Sequence, residues 1–384
     1  MMSGELVKFL THLKALYLKT LKSCGAENKC HLNIVCGNES ADLDSIVSSI
    51  TYAYLRSLKD SSSPFLPLIN IPRDDLKLRR DVCYLFNSHS IPSDLLYFRE
   101  DLHNWKKESS CTINCVLVDH NDIPAISENL FTNIVGIVDH HKDAGLHSKT
   151  IDKFSGPRIV ETAGSCSSLV FNYWFKTLND SVKNREAIKE VVPLLLGALL
   201  IDTDNMKNKV EPIDKEVFGE YKNLLATSVD IDSFYQKLRE AKDDIDGLDL
   251  HDILRKDYKE FIFGTNTRCG IASIVKSIQW IESEFGKSDI EEHCSKFIEE
   301  NNLDLLVLMT SFTNDGVFAK QIAFQTNSDQ KPDLLKALID CLSPKLNLEK
   351  IDPLSTECFK CYDQKNIKAS RKQVAPYVDA FINS

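Results

Sequence analysis

Four apolar segments of this chain each end in acidic or imidazole side chains, and this pattern limits the folds that it can adopt. The first segment, residues 32–36, is followed by Asn38, Asp42 and Asp44 in an Asn-x-x-x-Asp-x-Asp array. Residues from Ser45 onward have a helical pattern, so the acids stand where a strand ends and a helix begins. In an open α/β sheet, ligands bind at that edge. Paired carboxylates there indicate a divalent cation, although Asp is also a common helix N-cap.

The same arrangement recurs three times downstream. Residues 115–118, 134–138 and 192–201 are apolar, and we expect each to be a strand. The side chains that follow these segments are Asp119 and His120; Asp139, His140 and His141; and Asp202 and Asp204. Carboxylates and imidazoles at the carboxyl ends of parallel strands are what a site for several metal ions requires. The sequence therefore predicts that these distant side chains converge.

These motifs resemble the DHH phosphoesterase superfamily. The resemblance is carried by the triplet Asp139-His140-His141, by the Asp-x-Asp turn before it, and by residues 119–121 and 201–203 around it. Residues 37–45, 71–81 and 164–174 closely resemble the fungal cytosolic exopolyphosphatases, and the similarity covers nearly the whole chain. The resemblance implies an α/β protein of two domains. The first would be an N-terminal parallel-sheet domain and the second a smaller C-terminal α/β domain, with the active site in the cleft between them.

The same resemblance implies an activity and a set of metal ligands. The activity would be hydrolysis of the terminal phosphate of inorganic polyphosphate, which releases orthophosphate. Asp119 would bridge two metal ions, with Asp42 on one ion and Asp44, His140 and Asp202 on the other. The implied metal-binding residues are Asn38, Asp42, Asp44, Asp119, His140 and Asp202. Asp204 has no counterpart, and we interpret it as a helix cap or a support for the ligands.

Four further roles follow from the resemblance. His141 would contact the phosphoryl group or its leaving oxygen, Lys259 would bind substrate, and Arg371 and Lys372 would bind phosphates. The residues implied in catalysis are His141, Asp119, Lys259 and Arg371, and those implied in substrate binding are His141, Lys259, Arg371 and Lys372. Without the family, a basic pair such as Arg371-Lys372 is typical of ordinary surface.

The metal is expected to be a divalent cation, with two or more ions in the site. In the similar family II inorganic pyrophosphatases the first position of the array is histidine, whereas here it is Asn38. An amide oxygen is a harder ligand than imidazole, so we expect Mg²⁺, with Mn²⁺ or Co²⁺ as alternatives. Direct ligation by Asn38 and an indirect role both fit the sequence.

Length and pattern predict two domains in the 384 residues. We expect the metal-binding domain over residues 1–220, a linker over 221–231 and the phosphate-binding domain over 232–384. Within the second domain, residues 305–310 and 319–324 are predicted strands and residues 334–341 a predicted helix.

The net charge of −10 argues against nucleic acid or an anionic membrane as a partner. No run of eighteen apolar residues is present, so no membrane span is expected. The basic amphipathic stretch over residues 1–24 is interpreted as a packed first helix, with a mitochondrial presequence as the alternative. We therefore expect a cytoplasmic protein, with the mitochondrial matrix as the second choice. The lack of an obvious dimer seam favours a monomer.

Two local features have competing interpretations. Arg73, Arg79 and Arg80 could steer a polyphosphate tail, but the interleaved acids favour a solvated helix end with ion pairs. The serines of residues 164–168 open a helix whose backbone amides could bind an anion, or they could simply cap that helix.

Three alternative functions stay open. The first is an inorganic pyrophosphatase of the same family. The second is a nucleotide phosphodiesterase or single-strand nuclease, which the acidic charge disfavours. The third is a prune-like regulatory binding protein with a vestigial site, and the complete set of acids and histidines argues against it.

Overall fold

The computed structural model describes residues 4–23, 31–108, 111–123, 130–178, 181–226, 229–326, 332–356 and 359–383. The chain divides into two compact units, Met1–Asp244 and Ile245–Ser384. We refer to them as unit 1 and unit 2. This division agrees with the expected α/β protein of two domains.

Unit 1 contains a six-stranded sheet in which all neighbouring strands are parallel. Its strands are β1 (His31–Cys36), β2 (Leu66–Ile69), β3 (Tyr97–Phe98), β4 (Thr112–Val118), β5 (Asn133–Asp139) and β6 (Arg158–Val160). The order across the sheet is β3-β2-β1-β4-β5-β6. The direction of winding reverses between β1 and β4, and a sheet of this order binds ligands in the crevice at that point.

Nine helices surround this sheet in the described part of unit 1. They are α1 (Glu5–Ser23), α2 (Leu43–Lys59), α3 (Arg80–Ser88), α4 (Arg99–Glu108), α5 (Ser148–Phe154), α6 (Cys166–Leu178), α7 (Val182–Asp202), α8 (Pro212–Leu225) and α9 (Ile231–Asp243). The central strands are buried on both faces: Val116 and Val118 of β4 join one apolar core, whereas Cys115 and Leu117 join another. This explains why these strands are continuous apolar runs rather than alternating ones.

One of the four expected strands is wrong. Residues 192–201 belong to α7, a helix of 21 residues that begins after the N-cap Ser181 and ends at Asp202. The physical reason is length: an apolar run of ten residues suits a buried helix as well as a strand, and here it is rich in Leu, a strong helix former. Residues 194–201 are all buried, as expected for a helix enclosed on every side. Asp202 therefore reaches the site from a helix end.

The first helix packs against the body of unit 1. Leu6, Leu10 and Leu13 of α1 are buried in its two cores. This fits the interpretation of the N-terminal stretch as a packed helix, although residues 1–3 and 24 of that stretch lie outside the described residues. Across the described ranges, no helix combines the length and apolarity that a bilayer crossing requires.

The boundary of unit 1 falls later in the chain than the linker expected over 221–231. Residues up to Leu225 belong to α8, and α9 begins at Ile231. Tyr235 and Leu238 of α9 are buried in the same apolar core as α3 and α7. The amphipathic face of α9 therefore belongs to unit 1, which ends at Asp244. Residues 227 and 228 of the expected linker lie outside the described residues.

Unit 2 is a smaller α/β unit with a mixed sheet. Its strands are β7 (Tyr258–Phe263), β8 (Thr267–Ile274), β9 (Leu305–Asn314), β10 (Val317–Thr326), β11 (Leu348–Lys350) and β12 (Phe359–Gln364), in the order β11-β12-β10-β9-β8-β7. Only β8 and β9 are parallel among the described neighbours. Its helices are α10 (Leu250–Lys256), α11 (Ile278–Phe285), α12 (Lys287–Glu300), α13 (Pro332–Leu346) and α14 (Arg371–Ile382). The expected strands and helix of this region lie within β9, β10 and α13.

The core of unit 1 provides a test of the fold. Phe171 of α6 is 1% exposed, stacked on Phe175 and edge-on to Tyr221. We expect Phe171→Ala to lower the free energy of unfolding of unit 1 by about 3–5 kcal/mol, because it leaves a cavity among packed rings. The matched control is Phe154→Ala, since Phe154 is 41% exposed and its loss should cost less than about 1 kcal/mol. Chemical denaturation measures both, and equal effects would contradict the described core.

Candidate metal centre

The loop after β1 places the first acids beside α2. Asp42 is the N-cap of α2, and its carboxylate accepts a hydrogen bond from the N–H of Ser45 at 3.1 Å. The capping interpretation of Asp42 is therefore correct. The cap uses Oδ1 of the carboxylate, and Oδ2 takes no part in that hydrogen bond. Asp44, in the first turn of α2, is 2% exposed and points into the protein.

Asn38 is engaged at both ends of its amide. Its Oδ1 accepts the backbone N–H groups of Ser40 and Ala41 at 2.9 and 3.1 Å. Its Nδ2 donates to the carboxylate Oδ2 of Asp119 at 2.8 Å and to the Asp119 carbonyl at 3.2 Å. The two N–H donors fix which end of the amide is oxygen. In this geometry Asn38 orients Asp119, which favours the indirect role over direct ligation.

Asp119 follows β4 with a left-handed backbone, φ +61°. Its own N–H donates to the carbonyl of Val138 on the neighbouring strand at 3.0 Å. The side chain is 2% exposed, and its Oδ1 lies 3.1 Å from Nε2 of His140. The left-handed conformation costs roughly 1 kcal/mol or more for a non-glycine residue, and Asp tolerates it better than most. This backbone strain lies at the carboxyl ends of β1 and β4, where the winding of the sheet reverses.

Within the Asp139-His140-His141 triplet, Asp139 accepts hydrogen bonds from both histidines. Asp139 is fully buried and accepts the N–H groups of His140 and His141 at 2.8 and 3.2 Å and Nδ1–H of His141 at 2.8 Å. Asn121 also donates to it. Burial alone would raise the pKa of Asp139, but these hydrogen bonds outweigh burial and lower it. Asp139 is thus an ionised support that orients His141.

The two imidazoles of the triplet point to different surroundings. Nδ1 of His140 donates to the carbonyl of Ala163 at 2.8 Å, and Nε2 lies 3.1 Å from Asp119 and 4.0 Å from Asp44. A carbonyl can only accept, so the Nε2 lone pair is the one available to a cation. The side chain of His141 is 58% exposed, which fits the expected contact with substrate.

Asp44 is held by the start of α6. The backbone N–H of Cys166 donates to its Oδ2 at 2.6 Å and that of Ser167 to its Oδ1 at 2.8 Å. The backbone N–H groups at this helix start therefore bind a side-chain carboxylate of the protein itself. Of the two interpretations of residues 164–168, the amides do bind an acidic group, but it is Asp44 rather than an external anion.

Asp202 reaches the same region from the end of α7. Its Oδ2 is buried without a hydrogen-bond partner in the described part of the chain. Burial and the neighbouring carboxylates of Asp44 and Asp42 raise its pKa well above the ordinary value. Asp204 turns elsewhere and accepts hydrogen bonds from Tyr235 and Asn208 at 2.5 and 2.8 Å. Asp202 is accordingly the member of this pair that faces the acids.

The donor set fits a divalent cation. Burial and mutual repulsion raise the pKa values of Asp44, Asp119 and Asp202. Burial opposes protonation of His140, but its contacts with Asp119 and Asp44 outweigh burial and raise its pKa to about 10. The nearest ligand atoms of Asp119, His140 and His141 lie within 4.8 Å of one another. A buried oxygen without a partner and like charges that a cation would relieve are both what a metal site requires.

The basic residues expected to bind substrate lie in unit 2. Lys259 is exposed on β7 and Lys372 is exposed in the first turn of α14. The guanidinium of Arg371 contacts the carboxylate of Asp257 at 2.7 Å and its carbonyl at 3.0 Å. Their binding of phosphate stays a prediction.

The arginines that follow β2 are occupied by other parts of unit 1. Arg73 pairs with Asp101 at 2.9 Å and Arg80 with Asp244 at 3.2 Å. Arg79 donates to the carbonyls of Ser40 and Ala41 at 2.7 and 3.1 Å, which fixes the loop that carries Asn38. Ion pairing is therefore correct for Arg73 and Arg80, and the partners Asp101 and Asp244 are distant in sequence.

Sequence reasoning missed two supports of the site. Asn121 bonds Asp139 and the carbonyl of Lys142, and its position directly after Asp119-His120 was a signal that could have identified it. The other is the peptide between Ala163 and Gly164, which no side-chain pattern can reveal.

Comparison with known proteins places this site in a family. Residues 33–201 match the DHH family N-terminal domain, and residues 236–381 match the DHHA2 domain. A Schizosaccharomyces pombe protein named "Putative exopolyphosphatase" is 33% identical over 353 residues, covering 90% of this chain and 89% of its own. The chain belongs to the DHH family.

Two further comparisons extend this result. Mouse "Exopolyphosphatase PRUNE1" is 27% identical over 375 residues, covering 95% of this chain and 79% of its own. A crystal structure from Methanococcus jannaschii, titled a "putative family II inorganic pyrophosphatase", superposes with a TM-score of 0.56 at 18% identity. It covers 92% of this chain and all of that one. This last likeness concerns the fold.

The crowded carboxylates predict a pH dependence of the metal-free protein. The pKa of His140 is raised from its ordinary value of 6.5 to about 10. The stability that protonated His140 contributes is therefore fully present below about pH 6.5 and is lost as the pH rises toward 10. The acids with raised pKa values act in the same direction. With a chelator present, we expect the free energy of unfolding of unit 1 to fall between pH 6.5 and 10. Urea titrations at several pH values measure it, and stability that rises over this range would contradict the described cluster.

Proposed function

We propose that this protein is a metal-dependent exopolyphosphatase, which hydrolyses the terminal phosphate of inorganic polyphosphate and releases orthophosphate. The observation that carries the proposal is the convergence of Asp44, Asp119, His140 and Asp202 at the β1–β4 reversal, with His141 exposed beside them. The relatives from S. pombe and mouse, whose names are those of exopolyphosphatases, support it. The enzyme class is a hydrolase of phosphoanhydride bonds.

The proposed metal ligands are Asp42, Asp44, Asp119, His140 and Asp202, with Asn38 holding Asp119 from behind. We expect two or more ions, of which two would share Asp119 as a ligand, and Mg²⁺ ahead of Mn²⁺ or Co²⁺ because oxygen donors dominate the set. Divalent cations bound there would supply Lewis-acid chemistry, lowering the pKa of water and offsetting the charge of the phosphoryl group.

His141 is proposed to act on the substrate directly. Asp139 accepts Nδ1–H of His141 at 2.8 Å, which fixes the ring and leaves Nε2 to face outward. The same contact, as the largest effect, raises the pKa of His141, so the ring holds a proton at Nε2 more readily. An Nε2–H donor suits an oxygen of the transferring phosphoryl group or the oxygen that leaves.

The basic side chains of unit 2 are proposed to bind the phosphates of the polymer. Lys259 and Lys372 are exposed, and Asp257 orients the guanidinium of Arg371. Ammonium and guanidinium groups recognise phosphate oxygens by charge-assisted hydrogen bonds. They would also offset the repulsion between a polyanion and a chain of net charge −10.

Hydrolysis of polyphosphate, pyrophosphate and a cyclic dinucleotide, each with Mg²⁺ and with Mn²⁺, tests the proposal. Orthophosphate release measures the first two reactions, and chromatography of the linear dinucleotide measures the third. Release of orthophosphate from polyphosphate that a chelator abolishes is the expected result. Exclusive use of pyrophosphate would favour the inorganic pyrophosphatase, and use of the dinucleotide alone would favour the phosphodiesterase. No metal-dependent hydrolysis of any of the three would favour the regulatory binding protein. A monomer in the cytoplasm stays the prediction from the sequence, to be tested by sedimentation and cell fractionation.

Removal of the central carboxylate should abolish turnover. We expect Asp119→Ala to reduce polyphosphate hydrolysis about a thousandfold or more, because its charge is proposed to serve both ions. Asp119→Asn, which tolerates the left-handed backbone, should lose activity to the same extent while retaining the fold. The control is Asp122→Ala, an exposed acid three positions away, which should keep full activity. Near-normal turnover in Asp119→Ala would refute the metal centre.

The substitution Lys259→Ala should weaken the binding of polyphosphate and leave the rate of hydrolysis nearly unchanged. We expect KM for long polyphosphate to rise about tenfold with kcat within about twofold, because a charge-assisted hydrogen bond to phosphate contributes on the order of 1.5 kcal/mol. Steady-state kinetics on long and short chains measures the effect. Lys336→Ala removes an exposed ammonium from α13 of the same unit and should leave both constants unchanged. A fall in kcat at constant KM would contradict the proposed role.

A further inference from the structure

One peptide group links a buried carboxylate to the histidine of the metal centre. The peptide between Ala163 and Gly164 accepts Nδ1–H of His140 at its carbonyl, at 2.8 Å. The N–H of the same peptide donates to Oδ2 of Asp214 at 2.6 Å. A carboxylate, a peptide and an imidazole therefore form one continuous series of hydrogen bonds that ends at the Nε2 lone pair of His140.

Asp214 is buried to an extent that helix capping does not require. It lies in the first turn of α8 with 0% of its surface exposed. Its Oδ2 also accepts the N–H of Glu211 at 2.8 Å, a contact that an exposed carboxylate could make equally well. Its Oδ1 is buried without a hydrogen-bond partner in the described portion of the structure. Burying a carboxylate in this way is costly, so a helix cap alone does not account for Asp214 at this position.

The approach of Asp214 depends on the absence of a side chain at position 164. A Cβ on Gly164 would lie 2.8 Å from Oδ2 of Asp214, 2.6 Å from the carbonyl of Lys209 and 2.6 Å from Cγ2 of Thr203. All three of these neighbours are backbone or fully buried side chains, which leaves little room for adjustment. Glycine therefore permits the short hydrogen bond that connects α8 to the loop before α6.

We propose that Asp214 is a positioning residue for the metal centre, which acts on His140 through the Ala163–Gly164 peptide. The inference rests on the proposed function, because it assigns His140 as a metal ligand. A carboxylate on the N–H of a peptide polarises that peptide and makes its carbonyl a stronger acceptor. The stronger acceptor holds Nδ1–H of His140, which fixes the ring and raises the basicity of Nε2.

The same loop extends the effect to a second ligand. Two and three residues after Gly164, the N–H groups of Cys166 and Ser167 hold the carboxylate of Asp44. Asp214 fixes one end of this loop from α8. His140 and Asp44, which the proposal assigns to the same ion, are therefore both held by one segment of backbone.

Asp214→Asn is the test, because the amide keeps an oxygen that can accept the N–H of Gly164 but removes the charge. We expect the full-length variant to bind Mn²⁺ about tenfold more weakly than the wild type in calorimetric titrations without substrate. Asp214→Ala, which also removes the acceptor, should bind Mn²⁺ more weakly still. The polyphosphatase activity of Asp214→Asn should recover at high Mn²⁺, with KM for polyphosphate unchanged.

A second measurement distinguishes a positioning role of Asp214 from a purely structural role. The ¹⁵N resonance of His140 Nδ1 in the metal-free protein should shift in Asp214→Asn, because its acceptor has weakened. The matched control is Asp230→Asn, which removes the exposed N-cap carboxylate of α9 that holds the N–H of Ser233 at 3.2 Å. It should change neither Mn²⁺ affinity nor that resonance. An affinity in Asp214→Asn within twofold of the wild type, with or without lower thermal stability, would overturn the inference.

Failure of the proposed function gives a different result. If the wild type binds Mn²⁺ and releases no phosphate from polyphosphate, the exopolyphosphatase assignment fails, and a tenfold loss of affinity in Asp214→Asn still supports the positioning role. If the wild type binds no Mn²⁺, the positioning role is overturned together with the metal centre.

Discussion

The structure of unit 1 depends on keeping several carboxylates close together at the metal centre. Asp44 is buried near Asp119, Asp202 adds a buried carboxylate oxygen, and the imidazoles of His140 and His141 approach Asp119 at 3.1 and 3.7 Å. Such an arrangement would disperse if the side chains were free to move. It is held by backbone N–H groups: two at the start of α6 hold Asp44, and the N–H of Asp119 holds its own residue against β5. Main-chain donors cannot rotate away, so the repulsion remains in place until a cation offsets it.

The strand order determines where this occurs. In the order β3-β2-β1-β4-β5-β6, the connections from β1 and β4 leave in opposite directions, which opens a crevice at their carboxyl ends. Asp42 and Asp44 follow β1, Asp119 follows β4, and His140 follows β5. Three consecutive positions in the sheet thus contribute to one site, and the helix α7 contributes Asp202 from the side. The strand order brings these loops close together, and the residues on the loops determine which carboxylates and imidazoles face the site.

Much of this could be predicted from the sequence, and the parts that could not share a physical cause. Residues 115–118 and 134–138 are short apolar runs closed by polar residues, and strands of that kind in a parallel sheet must end at one edge. Residues 192–201 carry the same signal at greater length, and an apolar run alone does not distinguish an enclosed helix from a strand. The boundary near 244 was missed because a polar segment resembles a linker until the burial of Leu238 is known. The oxygen of Asn38 and the peptide of Ala163 act through backbone contacts, which leave no trace in side-chain patterns.

The left-handed backbone at Asp119 restricts what can replace this residue over evolutionary time. At φ +61°, asparagine and glycine are the natural substitutes, since β-branched and bulky residues are strained there. An asparagine would preserve the loop and its bond to β5 while removing the charge that the proposed metal centre uses. Under that proposal, a descendant of this protein could lose catalysis by a single conservative change and keep its fold, free to acquire a binding role.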